Sequence, residues 1–153
     1  MKLSKILAEK DIREIISISE DASIKDAAKM LCQHNIGSLL VHSLVNKQKY
    51  IGIISERDII NVCCATNIEG CSNIKVTDIM TKNMIVATVN DDVEYIINIM
   101  GRHKIRHIPV LDGNKVIGIV SSGDIINTLH KEDEIKLHHL SDFVGGTYAS
   151  NVY

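Results

Sequence analysis

Two apolar stripes at helical spacing lie 69 residues apart in the chain. Each follows the i, i+3, i+4, i+7 pattern of an amphipathic helix whose apolar face is buried. Ser23 precedes the first stripe, with Asp26 three residues later, which is typical of a capped helix start. The stripes consist of Ile24, Ala27, Ala28 and Leu31, and of Val93, Ile96, Ile97 and Met100.

Each stripe is followed by two short, almost wholly apolar runs that predict strands, and then by a second helical segment. The strands are expected near 37–42 and 50–55, and near 106–111 and 116–121; the second helices are expected near 56–64 and 122–130. Continuous apolar runs indicate a sheet covered on both faces. The polar stretch Ser43–Lys49 predicts a long hairpin loop, and Asp112-Gly113 a tight turn.

The chain is therefore a duplicated unit. The strings GIISERDIIN (52–61) and GIVSSGDIIN (118–127) share seven of ten residues, and such self-similarity is the signature of a repeat. One repeat alone would expose a sheet face, so we expect the two to pack sheet to sheet. The predicted division is an N-terminal segment (1–14), repeat 1 (15–66), a linker (67–75), repeat 2 (76–130) and a charged helical tail (131–153) that ends in Gly145-Gly146 and a frayed terminus.

Composition narrows the function classes. Of 153 residues, 45% are hydrophobic and 24% charged, with a net charge of −2, which is ordinary for a folded protein and disfavours nucleic-acid binding. Aromatic residues make up only 3%. No apolar run approaches the roughly 18 residues of a membrane span, and the start MKLSKILAEKD lacks the apolar core of a signal peptide. We expect a cytoplasmic location.

Nothing in the sequence favours catalysis or a metal site. The seven His residues form no HExxH or Cys–His signature, and His34 and His103 occupy equivalent helix ends. The four cysteines are expected to be small buried hydrophobes. A metal or redox sensor built from Cys63, Cys64, Cys71 and a His stays open as an alternative.

Three sets of motifs carry a family resemblance: VTDIMT (76–81), IRHIPV (105–110) and the two G-I-x-S-x-x-D strings. Together they resemble a tandem pair of cystathionine-β-synthase (CBS) domains, a Bateman module, as in stand-alone bacterial CBS-domain proteins, over Lys5 to His130. The resemblance implies an α/β (α+β) fold of two β-α-β-β-α repeats with pseudo-two-fold symmetry. It also implies two clefts between the repeats that bind AMP, ADP or ATP, or in some members NAD or S-adenosylmethionine. It further implies a homodimer and an unidentified regulated enzyme or transporter.

The two strand-to-helix junctions are the first candidate sites. Ser55 with Asp58, and Ser121 with Asp124, each place a hydroxyl and a carboxylate at a helix start. A helix start offers unpaired N–H groups to a phosphate, and an ionised Asp accepts hydrogen bonds from a ribose diol. The competing interpretation is that these residues only cap the helices.

The remaining candidate ligand contacts lie at strand entries. We expect the strand entries Ile36-Gly37-Ser38-Leu39 and Ile105-Arg106-His107-Ile108 to supply an apolar slot and backbone groups for adenine, with Pro109 leaving nearby backbone free to meet the base. Pro109 is expected at a strand end or sheet edge, because it lacks an N–H. The resemblance adds the stretch before each first helix, with Ser17, Ile18, Ala87 and Thr88.

The basic residues are unevenly distributed between the repeats. Repeat 1 has Arg57 where repeat 2 has Gly123, and repeat 2 has Arg106 and His107 where repeat 1 has Gly37 and Ser38. By the resemblance, Arg106 and His107 align with positions that contact phosphates. We therefore expect inequivalent clefts, with phosphates converging where Arg57 and Arg106 face each other. Leu40 in place of Pro109 puts the occupancy of the first cleft in question. The predicted function is a regulatory module that senses an adenine nucleotide, with AMP as the first candidate; the alternative is an interaction module with ligand-free clefts.

Overall fold

The computed structural model describes residues 1–10, 14–66 and 68–149. The predicted division falls partly outside these ranges, at residues 11–13 and 67 and at the terminus 150–153. The elements in chain order are α1 (Leu3–Glu9), β1 (Ser17–Ser19), α2 (Ile24–His34), β2 (Ser38–His42), β3 (Tyr50–Ser55), α3 (Glu56–Ala65), α4 (Ile68–Cys71), α5 (Val76–Ile79), β4 (Ala87–Thr88), α6 (Val93–His103), β5 (His107–Asp112), β6 (Lys115–Ser121) and α7 (Ser122–Ala149).

The predicted β-α-β-β-α order is confirmed in both halves. Each half forms a three-stranded sheet, in the order β1-β2-β3 or β4-β5-β6. The outer strand that precedes the helix pairs in parallel, and the hairpin strands pair antiparallel. The long loop between β2 and β3 and the tight turn between β5 and β6 lie as predicted. Gly113 in the tight turn has φ +59°, which glycine adopts without strain.

The two amphipathic helices end in the same way, but their starts differ, since Ser23 caps α2 through its side chain and Asp92 at the start of α6 makes no such bond. The Ser23 side chain accepts a hydrogen bond from the Asp26 N–H at the start of α2, as the sequence predicted. The last helical residues are His34 in α2 and His103 in α6. The chain then leaves each helix through a left-handed residue, Asn35 (φ 50°) or Lys104 (φ 54°), which closes the C-terminus and turns the chain toward the next strand.

The short helices α1 and α5 each pack on the opposite repeat from the one they precede. Val76 and Met80 share the core of the first sheet with Leu39 and Ile54, whereas Leu3 and Ile6 share the core of the second. Equivalent backbone bonds fix both helices: the Val76 N–H donates to Ala22 O, and the Leu3 N–H donates to Asp91 O. The division at residue 76 thus separates sequence repeats, while each hydrophobic core takes a helix from across that division.

Three features differ from the sequence-based expectation. The predicted helix 122–130 and the tail form one 28-residue helix, α7, which continues through Gly145-Gly146 to Ala149, since a single glycine pair weakens but does not terminate a helix. Cys32 and Cys64 are exposed, and Cys63 forms a disulfide with Cys71, so the cysteines are not simply buried hydrophobes. Pro109 lies in the central strand β5. However, β4 pairs only with Val110 and Leu111, so at Pro109 the strand has a neighbour on one side alone.

Candidate functional site

Both strand-to-helix junctions form a tight capping arrangement. Asp58 Oδ2 accepts from the Ser55 N–H at 2.8 Å and from the Ser55 Oγ at 2.9 Å, and Asp124 Oδ2 accepts the same two bonds from Ser121, both at 2.7 Å. The serine oxygens in turn accept from the aspartate N–H groups. The two junctions therefore have the geometry of helix caps. In each, the cap uses the Oδ2 of the aspartate and leaves Oδ1 for another partner.

A large cleft lies between the start of α7 and the entry to β2. Its volume is about 570 Å³, which lies within the usual range of about 300–1,000 Å³ for small-molecule sites. We call this the large cleft. Its lining residues are Leu7, Ala8, Lys10, Glu14, Ile15, Ile16, Asn35, Ile36, Gly37, Ser38, His107, Ile117, Gly118, Ile119, Ser121 and Asp124.

A small cleft occupies the pseudo-symmetric position between the start of α3 and the entry to β5. Its volume is about 160 Å³, below the range typical of ligand sites. Its lining residues are Ile53, Ser55, Arg57, Asp58, Thr81, Asn83, Met84, Ile85, Lys104, Ile105, Arg106, His107 and Pro109. Each cleft therefore combines the helix start of one repeat with the strand entry of the other.

Side-chain size explains why the clefts differ in volume. At the strand entry, the large cleft has Gly37 and Ser38 where the small cleft has Arg106 and His107. The helix start of the small cleft contributes Arg57, whose counterpart in α7 is Gly123. The His107 ring packs so closely on Gly37 that a Cβ there would lie 2.8 Å from Nε2. Small residues on one side and large ones on the other produce one open and one nearly filled cleft, whereas the sequence predicted only that the two clefts are inequivalent.

Lys10 holds the carboxylate in the large cleft. Its Nζ donates to Asp124 Oδ2 and to the Ile119 carbonyl, both at 2.7 Å. Burial acts to raise the pKa of Asp124, but hydrogen bonds from Lys10 and Ser121 outweigh it and hold the pKa below its ordinary value. Asp124 is therefore ionised at neutral pH.

His107 lies between the two clefts and lines both. Burial, followed by the positive charge of Arg106, lowers the pKa of His107 below its ordinary value, against the opposing charges of Glu56 and Asp124. The imidazole is therefore mainly neutral at pH 7 and offers hydrogen bonds without a full positive charge.

Arg57 and Arg106 both line the small cleft, and both have protein partners. Arg57 Nη1 donates to the Lys104 carbonyl at 2.9 Å, and Arg106 Nη2 pairs with Glu56 at 3.1 Å. Both arginines predicted to bind phosphate therefore lie in the cleft with less space. Phosphates in the large cleft would have to find other partners.

Six predicted contacts lie outside both clefts. Ile18, Leu39, Ala87 and Ile108 belong to the two hydrophobic cores, because strand residues alternate between core and cleft. Ser17 contacts His42, and the Thr88 N–H donates to Asp91. The other eleven predicted residues line one cleft or both.

The walls before β1 and β4 lie slightly earlier than predicted, at residues 14–16 and 83–85. These two stretches are related by the same 69-residue offset as the amphipathic stripes, a signal that could have identified them. Lys10 gave no such signal, since it reaches Asp124 across 114 positions of sequence.

Two other kinds of site are absent from the described part of the chain. In residues 1–10, 14–66 and 68–149, no group of three or more His, Cys, Asp or Glu side chains could hold a metal ion. Within the same ranges, no helix is long and apolar enough to cross a membrane.

Comparison with known sequences gives two matches to one family. The CBS domain profile matches residues 9–64 and 76–131. The chain is 33% identical over 130 residues to the mitochondrial CBS domain-containing protein CBSX3 of Arabidopsis thaliana, covering 84% of this chain and 63% of that protein. It is 35% identical over 133 residues to the homoserine O-acetyltransferase of Methanococcus vannielii, covering 83% of this chain but 26% of the enzyme. The chain thus spans less than two thirds of these two relatives.

Solved structures give the same architecture. The CBS-domain protein ATU1752 from Agrobacterium tumefaciens superposes with a TM-score of 0.77 at 27% identity, over 84% of this chain and 98% of that one. The CBS domain protein PAE2072 from Pyrobaculum aerophilum, solved with AMP, gives 0.69 at 25% identity, over 81% and 89%. The CBS domain pair of MJ0100, solved with 5-methylthioadenosine and S-adenosyl-L-methionine, gives 0.70 at 30% identity, over 86% and 98%.

Proposed function

The chain belongs to the CBS domain family as a tandem pair, and from that premise we propose that it is a regulatory module that senses an adenine nucleotide, AMP first, in the large cleft. The observation that carries the proposal is the volume of about 570 Å³ beside an ionised carboxylate and a helix start. The small cleft, at about 160 Å³, has too little space for a nucleotide, so we propose one ligand per chain.

The lining of the large cleft suits the three parts of a nucleotide. Ile36, Ile117 and Ile119 supply apolar surface for a base, and exposed backbone near a strand entry can hydrogen-bond its edge. The Asp124 Oδ1 can accept from a ribose diol, because an ionised carboxylate oxygen accepts two hydrogen bonds. The second N–H of α7, at Gly123, is one of the groups that a helix start leaves for an anion.

The relatives support an adenine-containing ligand without choosing among such ligands. One structural neighbour was solved with AMP and another with 5-methylthioadenosine and S-adenosyl-L-methionine. AMP, ADP, ATP, NAD and S-adenosylmethionine share adenosine, which is the part that the apolar wall and Asp124 would bind. Among the four ligands that carry phosphate, we place AMP first because a single phosphate needs the fewest cationic partners.

Ligand-induced thermal stabilisation tests the proposal. A ligand at 100 times its Kd adds about 2.7 kcal/mol, which corresponds to a rise in Tm of about 5–11 °C for a chain of this size. We expect AMP to raise the Tm of the wild-type chain and of Asp58→Asn, and to have much less effect on Asp124→Asn. The two variants are matched, because both lose the same capping carboxylate. Equal loss in both variants would contradict the assignment to the large cleft, and no shift with any of the five ligands would favour the interaction module.

We further propose that the chain forms a homodimer and transmits ligand occupancy to a partner enzyme or transporter. The equivalent residues Ile60 and Ile126 are 59% and 64% exposed, and they belong to the helices that follow the two junctions. Exposed apolar side chains at equivalent positions of the two repeats suit an isologous contact with a second copy. Ile126→Lys should convert a dimer to a monomer in sedimentation velocity; a wild-type chain that sediments as a monomer would contradict the proposal.

The proposal assigns no catalytic step and no metal to the chain. Incubation with ATP, NAD or AMP should give no product by chromatography. The redox alternative keeps one supporting observation, the Cys63–Cys71 disulfide, which is also uncommon in a reducing cytoplasm. A change in AMP affinity on adding dithiothreitol would favour that alternative, whereas an unchanged affinity would leave the cysteines with a structural role.

A further inference from the structure

Lys10 is the residue of the large cleft that neither the repeat pattern nor the capping geometry accounts for. It follows α1, and its Nζ bonds both Asp124 Oδ2 and Ile119 O at 2.7 Å. The Lys10 side chain is 23% exposed and that of Asp124 is 22% exposed. Hydrogen bonds between charged groups that are largely shielded from water are stronger than neutral ones.

The fold does not require an ammonium group at this place. In repeat 1, the Ile53 carbonyl, equivalent to that of Ile119, accepts from the backbone N–H of Thr81 at 2.9 Å. The carboxylate of Asp58, equivalent to Asp124, is held by Ser55 alone among the described residues. The small cleft therefore closes the same junction with a backbone bond, and Lys10 is a specific addition to the large cleft.

The charges that face the large cleft give Lys10 a further role. Of its described lining residues, Glu14 and Asp124 are acidic, and Lys10 and His107 are basic. Arg57 and Arg106 line the small cleft instead. His107 is mainly neutral at pH 7, since burial and Arg106 lower its pKa. Among these lining residues, Lys10 therefore supplies the one full positive charge against two negative ones.

We infer that Lys10 determines the charge of the ligand that the large cleft accepts, because it bonds the phosphate of a bound nucleotide while it remains on Asp124. An ammonium group has three N–H donors, and the two bonds to Ile119 and Asp124 leave the third for a phosphate oxygen. Without Lys10, the described lining would carry two negative charges and repel a phosphate. A neutral nucleoside would not experience that repulsion, so Lys10 separates nucleotides from nucleosides. The inference rests on the proposed function and adds a specificity determinant to it.

The experiment compares AMP with adenosine on matched variants by isothermal titration calorimetry. Loss of a charge-assisted hydrogen bond weakens binding by about tenfold or more. We expect Lys10→Gln and Lys10→Met to bind AMP at least about tenfold more weakly than wild type, with adenosine affinity changed by less than about threefold. Lys10→Arg should retain AMP binding, and Lys104→Gln, a loss of positive charge beside the small cleft, should leave both affinities unchanged. Circular dichroism of each variant checks that the chain is folded.

Each other outcome refutes a specific part of the inference. Equal weakening of AMP and adenosine in Lys10→Gln would make Lys10 a structural partner of Asp124 only. Tighter binding of both ligands would mean that Lys10 obstructs the cleft. A wild-type chain that binds neither ligand would overturn the proposed function and this inference together, whereas wild-type binding with unchanged AMP affinity in Lys10→Gln and Lys10→Met would overturn the role of Lys10 alone.

Discussion

Substitution of Gly52 tests the packing of α5 across the repeat boundary. A Cβ at Gly52 would lie 2.6 Å from Met80 Sδ and 3.0 Å from the Thr81 carbonyl oxygen. Met80 is only 9% exposed, and the Thr81 carbonyl accepts from the Ile53 N–H at 3.0 Å, so neither neighbour can move freely. Extra atoms forced into a packed core cost about 1–3 kcal/mol. We therefore expect Gly52→Ala to lower the free energy of unfolding by that amount, and the Tm by about 2–12 °C.

Two other glycines provide graded controls for that measurement. A Cβ at Gly118, the equivalent position in repeat 2, would meet only the end of the Leu7 side chain, at 3.0 Å, and one at Gly101 in α6 would meet nothing within 4 Å. Gly118→Ala should therefore cost less than Gly52→Ala, and Gly101→Ala should stabilise the chain by about 0.5–1 kcal/mol through helix propensity. Urea denaturation monitored by circular dichroism gives all three values. If Gly52→Ala were as stable as wild type, α5 would not pack on the first sheet as described.

Three further predictions concern the disulfide, the half-buried His107 and a left-handed helix end. Under non-reducing conditions, Cys63→Ser should lower the free energy of unfolding by about 2.5 kcal/mol, the chain-entropy value for so short a loop. Cys64→Ser, at an exposed free thiol, is the control and should leave that free energy unchanged. Equal urea midpoints for the two variants would refute the contribution of the disulfide. Because the folded-state pKa of His107 is lowered, the unfolded chain binds more protons than the folded chain below pH about 6.5. The free energy of unfolding should therefore fall as the pH decreases through that value, and His107→Gln should flatten its pH profile. Identical pH profiles for the wild type and the variant would refute the role of His107. Lys104→Gly should raise the Tm by relieving a left-handed conformation worth about 1 kcal/mol, and Asn35→Gly should raise it less, since Asn tolerates that conformation; a lower Tm for Lys104→Gly would contradict this.

The sequence by itself determined the repeat, the order of the elements and the difference between the clefts. These follow from local patterns: apolar spacing defines each helix and strand, and the Gly, Ser and Arg residues at equivalent positions decide how much space a side chain leaves. Arg106 at the position equivalent to Gly37 indicated that the clefts are inequivalent, but the sequence placed the phosphates beside Arg57 and Arg106, where the structure leaves less space. The capping role of Ser55 and Asp58 was likewise visible, because a cap depends on residues only three positions apart.

Only the tertiary structure decided which distant residues meet. The exchange of α1 and α5 between the two cores, and the contact of Lys10 with Asp124, join positions far apart in the chain. The spacing of apolar residues in the sequence does not predict such contacts, because a short helix with one apolar face packs equally well on any complementary surface within its reach. The same limit explains why the sequence predicts Ile18, Leu39, Ala87 and Ile108 as cleft residues although they belong to the cores. A pattern identifies a strand as apolar, but the packing of the second layer decides which of its faces becomes core and which faces a ligand.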